Sequence, residues 1–162
     1  MIGLLTGLGV AASVSVWIAT LRGVGQSSAR LGEVLFGRGV NPLTLNLFAV
    51  AMLPICFIAG LLSGQFAIAA MAFAFLYGVG NGLTTITRGT MALVLFDHRT
   101  YGTVTGRLLL PSFVFAAAAP LAYAFMVDSW GEAGALYVST AIAAIITLAS
   151  LWLKLKIMPA AR

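Results

Sequence analysis

Long apolar runs alternate with short polar breaks along this chain. A helix that spans a bilayer needs about 20 predominantly apolar residues. The pattern predicts an all-α, polytopic transmembrane helix bundle with about five spanning helices, at 11–36, 42–62, 66–96, 107–127 and 133–153. Residues 1–10 read as the tail of a preceding loop or helix. The stretch GRGVNP (37–42) is a turn by composition. The run 39–87 has no charged residue and is too long for one span, so Ser63, Gly64 and Gln65 divide it. Asp97, His98 and Arg99 close the third span, and residues 100–106 make a short connection. The stretch DSWGE (128–132) is a tight polar turn with Trp130 at the membrane interface.

The polar residues inside the apolar runs are not scattered. In the third span Tyr77, Asn81, Thr84, Thr85 and Arg88 recur at helical spacing and share one face. Gly78, Gly80 and Gly82 sit between them. Buried polar groups are costly in hydrocarbon unless they face protein or a watery cavity. This helix is therefore expected to turn one face to a cavity that the other helices enclose. The first span carries Arg22, Gln26, Arg30 and Glu33, which steps of four and three residues return to one arc. A competing division ends that helix at Thr20 and makes 22–38 an interfacial amphipathic segment; the alignment of Arg22, Gln26 and Arg30 favours the long span. The second and fifth spans are almost pure hydrocarbon. Pro54, in the second, is a potential kink. Pro111 and Pro120, in the fourth, are candidate kink or gating sites.

Composition agrees with a membrane protein. Hydrophobic residues make 61% of the chain and charged residues 8%, against roughly 25% charged in a soluble domain. The 162 residues then form a single transmembrane domain. The net charge of +5 is no nucleic-acid signature, because the bases lie scattered between apolar runs. Cys56 is the single cysteine and forms no intrachain disulfide. The start of the chain lacks the basic segment of a secretory signal. Charge also alternates between successive connections. Arg30 and Arg38 flank the first, the second is uncharged, Arg99 and Arg107 lie at the third, Asp128 and Glu132 at the fourth, and Lys154, Lys156 and Arg162 in the tail. Basic connections face the cytoplasm, which puts the C-terminus inside.

Catalytic chemistry finds little support. His98 is the single histidine and lies at a helix end. No HExxH or paired-carboxylate motif offers a metal site. No GxSxG elbow and no P-loop is present. GVGNG (78–82) lacks the preceding strand of a dinucleotide loop. No enzyme activity, cofactor or metal is expected. Arg22 is the sharpest candidate, since a charge near mid-span costs about 2.5–3.5 kcal/mol on insertion scales. Two roles stand open for it: contact with an anionic solute or a charge-paired gate, or a structural arginine bonded to carbonyls or reaching the interface. Arg88 is closer to a helix end and snorkels easily. Gln26 and Asn81 either bond a solute or bond a neighbouring helix. Tyr77 either stacks on a ligand or packs.

Three stretches together resemble a known family. GQSSARLGEVLFGRGVNPL (25–43) resembles the end of the second helix of a six-helix half and its following cytoplasmic loop. FLYGVGNGLTTITRGTMALVLF (75–96) looks like the cavity-lining tenth helix, and GRLLLPSFVFAAAAPLAYAFMVDSWG (106–131) like the eleventh. The family is the major facilitator superfamily (MFS) of transporters, and the resemblance covers nearly the whole chain as its C-terminal half less one helix. Of the family's cytoplasmic-loop motif only Gly37, Arg38 and Gly39 remain; the acidic residue is absent. The resemblance implies the eighth to twelfth of twelve helices. The first, third and fourth spans would border the pathway, with the second and fifth as outer supports.

The expected function is membrane transport by a truncated or partial secondary transporter, an MFS-like permease moving a small solute by alternating access when complete. Expected partners are the lipid bilayer, a small-molecule solute, and the missing N-terminal helices or another membrane chain, with no nucleic acid. The expected location is the bacterial inner membrane. The competing function is a non-transporting membrane scaffold or subunit.

Overall fold

The computed structural model of the chain describes residues 12–96 and 101–157. The polar cluster Asp97, His98 and Arg99, residues 1–10 and Arg162 lie outside the described residues. Among the described residues four helices follow in order: α1 (Ala12–Phe36), α2 (Pro42–Leu61), α3 (Ala67–Leu95) and α4 (Tyr101–Ile157), with a short 3-10 turn, Gly37–Gly39, after α1. No strand occurs among the described residues. Three of the helices are long and apolar enough to cross a membrane: α2, most of α3, and α4. The chain is thus a membrane-embedded helical bundle. α1 is long, but Arg22, Gln26, Arg30 and Glu33 dilute its hydrocarbon.

Local chemistry sets the helix ends. Asn41 caps α2: its Oδ1 accepts from the Leu43 amide at 2.9 Å. Pro42 follows at the first helical position, where its missing N–H is no loss. α1 runs unbroken past Thr20 to Phe36. α4 differs from expectation at two places. It is already helical at Tyr101, so the connection before it is shorter than 100–106. It also stays helical through Asp128, Ser129 and Trp130, and the break falls at Gly131 alone, with φ 70° and ψ 176°. That backbone region is essentially open to glycine only. Gly131 divides α4 into a first arm, 101–130, and a second arm, 132–157. Pro111 and Pro120 lie inside the first arm with helical backbone angles.

α3 is the middle of the bundle. α1 packs along one side of it and α2 along the other, and α2 in turn packs on the second arm of α4. α2 keeps an exposed apolar face beside these contacts, with Phe48, Ile55 and Ile58 outward. The core lies where these helices meet, around Ile18, Cys56, Ala70, Phe73, Ala74 and Leu136. Pro54 leaves the Val50 carbonyl without its helical donor. The Thr147 hydroxyl of the second arm lies 3.2 Å from that carbonyl and 2.8 Å from the Ala143 carbonyl of its own helix, and shares its one proton between them, which brings α2 against α4. The first arm touches little of the bundle and is exposed along most of its length.

Candidate functional site

Small residues let α1 and α3 approach closely. A Cβ on Gly78 would collide with the backbone carbonyl of Arg22, and one on Gly25 with the carbonyl of Phe75. A Cβ on Gly82 would lie 2.8 Å from the Gln26 carbonyl. Gly78 and Gly82 are four residues apart, so they form one glycine seam facing α1. Gly80 points elsewhere: its Cβ would meet the Ala49 carbonyl of α2 at 3.3 Å. The three glycines thus serve two different helix contacts.

This crossing brings two of the candidate residues together. The guanidinium carbon of Arg22 lies 5.3 Å from the centroid of the Tyr77 ring, within cation–π range. Tyr77 is itself held by rings. Phe57 of α2 and Phe73 stand 6.1 and 6.2 Å from it, both tilted. Arg22 is exposed and Tyr77 half-buried. So the charge stays open on one side while the ring beneath it is fixed.

The rest of the stripe descends α3 from that point. Asn81 is half-buried, as is Gln26 on α1. The Thr84 hydroxyl donates to the Gly80 carbonyl at 2.7 Å and the Thr85 hydroxyl to the Asn81 carbonyl at 2.8 Å. Both hydroxyls keep acceptor capacity for another group. Arg88, exposed, lines a cavity of about 220 Å³ with Thr105, Leu108, Leu109 and Ser112 of the first arm. The first arm therefore meets the polar side of α3 at Arg88. Pro111 and Pro120 are exposed on it. Arg30 is exposed, and Glu33 lines a separate, largely apolar cavity of about 280 Å³ with Gly37, Phe48 and Leu83. Arg22, Gln26, Arg30 and Glu33 thus do not share one site.

No family model, curated protein or solved structure matches the chain. What the site does must be argued from its own residues. Among the described residues no group of three His, Cys, Asp or Glu side chains stands close enough to hold a metal.

A second polar cluster was not legible in the sequence. The Asn46 amide donates to Ser150 Oγ at 2.9 Å, and the Thr87 hydroxyl donates to Asn46 Oδ1 at 3.2 Å. Thr87 is fully buried and Ser150 nearly so. These residues tie α2, α3 and the second arm together inside the bundle. They lie 41 and 104 residues apart along the chain, and only the fold brings them together. One signal was present: Thr87 falls outside the arc of Asn81, Thr84 and Arg88, and so had to face another helix.

Proposed function

We propose that the chain is part of a secondary transporter of the MFS type. Its α1–α3 pair lines a pathway for a small solute, and a complementary set of helices covers the open polar side. The observation that carries this reading is the division of labour across α3. Its glycine face and its Thr87 face are used up in helix contacts, whereas Tyr77, Asn81, Thr85 and Arg88 lie between those faces and remain at least partly open. An open polar stripe in hydrocarbon is costly. Water or a further protein surface relieves that cost, and alternating access supplies both in turn. In this reading α1 and each arm of α4 also cross the bilayer, making five spans. The basic C-terminal end, where Lys156 Nζ lies 4.6 Å from the Trp152 ring centroid, sits at the cytoplasmic face of a bacterial inner membrane.

A solute-uptake screen tests the proposal, using vesicles that hold the chain alone or together with a complementing N-terminal portion. Uptake that needs both parts and falls on Asn81→Ala supports transport. Assembly of both parts without uptake of any solute in the screen supports the scaffold function instead.

A further inference from the structure

The cavity between α3 and the first arm of α4 has a feature that helix packing does not explain. Among the described residues Thr105 Oγ1 is the one buried side-chain oxygen or nitrogen without a hydrogen-bond partner. Buried polar groups are normally partnered, because leaving one unmet carries a desolvation penalty. In a membrane helix the penalty is harder to escape, since no water reaches the hydrocarbon. Thr105 is also in the lining of the cavity that Arg88, Leu108, Leu109 and Ser112 complete.

The lining has one chemical character. Arg88 carries only donors, and the hydroxyls of Thr105 and Ser112 can each donate. No carboxylate is in the lining. A group that satisfies all three is therefore an acceptor with several oxygens and negative charge. Leu108 and Leu109 add an apolar wall. The cavity, about 220 Å³, far exceeds the roughly 30 Å³ share of one water. Its depth fits as well. Arg88 lies seven residues before the end of α3 at Leu95, about 10 Å of helix. Thr105 lies four residues after the start of α4 at Tyr101, about 6 Å of helix. Both are within reach of the headgroup region, where basic clefts between membrane helices take phosphate headgroups.

We propose that the cleft formed by Arg88, Thr105 and Ser112 binds a phosphate oxyanion carried on an apolar body. A phospholipid headgroup and a soluble phosphate ester share this chemistry. The site shares Arg88 with the polar stripe of α3, but Thr105 and Ser112 belong to the first arm of α4, and lipid selectivity is read without any uptake, so the failure of one reading is distinguishable from the failure of the other.

The test uses the full chain in phosphatidylcholine vesicles containing a minority of phosphatidylglycerol. Spin-labelled phosphatidylglycerol and spin-labelled phosphatidylcholine report the fraction of each lipid held immobile by the protein. The wild type should select the phosphatidylglycerol, and Arg88→Gln should lower that selectivity about tenfold, the equivalent of about 1.4 kcal/mol. Thr105→Val should lower it less, with helicity by circular dichroism unchanged in both variants. Arg107→Gln, at an exposed base outside the cavity lining, should leave it as it was. Glycerol phosphate that displaces the labelled lipid, or protects the chain thermally without any lipid selectivity, keeps the oxyanion site and assigns it to a soluble ester. Equal retention of both lipids with no effect of glycerol phosphate overturns the proposal. So does an Arg107→Gln variant that loses as much selectivity as Arg88→Gln, since that result means general surface charge.

Discussion

Arg22 of α1 holds its guanidinium over the ring of Tyr77 on α3, with the ring centroid 5.3 Å away. At an exposed site such a contact is worth about 0.5–1 kcal/mol, too little to decide whether the bundle folds. It is enough to fix where a mid-helix charge points.

Arg22→Ala should therefore insert and fold normally, because removing a charge from a span eases insertion. If the proposed pathway holds, it should reduce uptake by the chain assembled with a complementing N-terminal portion. Arg22→Lys should recover part of the loss, since an ammonium lacks the planar fork of the guanidinium. Tyr77→Phe keeps the ring face and should resemble the wild type, whereas Tyr77→Leu should resemble Arg22→Ala. Uptake normalised to inserted protein measures all four. Normal transport by Arg22→Ala removes the residue from the pathway.

The glycine seam makes a sharper stability prediction. Gly78→Ala and Gly82→Ala push a methyl group against the backbone of α1. Overpacking of this kind costs about 1–3 kcal/mol. Gly23→Ala, on the same α1 helix, meets nothing within 4 Å and should be neutral or slightly stabilising. Denaturant titration in detergent micelles separates the three. Equal stability across them would mean that α1 and α3 are farther apart than described.

The buried cluster should behave as a unit. Thr87→Val strips a donor from Asn46 and should cost about 0.6–1.7 kcal/mol, the range for hydrogen bonds between membrane helices. Asn46→Ala should cost at least as much, because Thr87 and Ser150 both lose a partner. The double variant should cost less than the sum, by a double-mutant cycle. Strict additivity would show that Asn46 and Thr87 do not interact.

Gly131→Ala forces a side chain into a backbone region with φ 70° and ψ 176°. Strain of about 1–3 kcal/mol is expected, relieved only by straightening α4 or shifting its second arm. Loss of thermal stability with unchanged helicity is the predicted result.

The stripe on α3 was legible because its residues repeat at the helical period within a single element. The first span showed the same period, yet its four polar residues divide between different surroundings, with Arg22 at the Tyr77 ring and Glu33 at a separate cavity. Shared direction along a helix does not guarantee a shared environment, because neighbours are set by the crossing of helices. The partners of α2 are hard to read from the sequence for a related reason. Its nearly pure hydrocarbon looks peripheral, but a membrane helix can be as apolar inside a bundle as outside it. Asn46 and the Val50 carbonyl freed by Pro54 were the hints that it has protein on two sides. The break at Gly131 rather than over the whole of 128–132 is a backbone fact that composition blurs.

The central claim is that the open side of the α1–α3 pair faces water. Cysteine accessibility in membrane vesicles tests it most directly. Cys56 is buried and bonded to the Leu53 carbonyl, so a Cys56→Ala background leaves single introduced thiols to report. Asn81→Cys and Thr85→Cys in the chain assembled with a complementing N-terminal portion should react with a membrane-impermeant thiol reagent, and a solute that the assembly takes up should slow the reaction. Ile55→Cys and Ile145→Cys, on exposed apolar faces of α2 and α4, should stay unreactive. Asn81→Cys and Thr85→Cys as inert as these two would contradict the account, because the stripe would then face hydrocarbon or sealed protein.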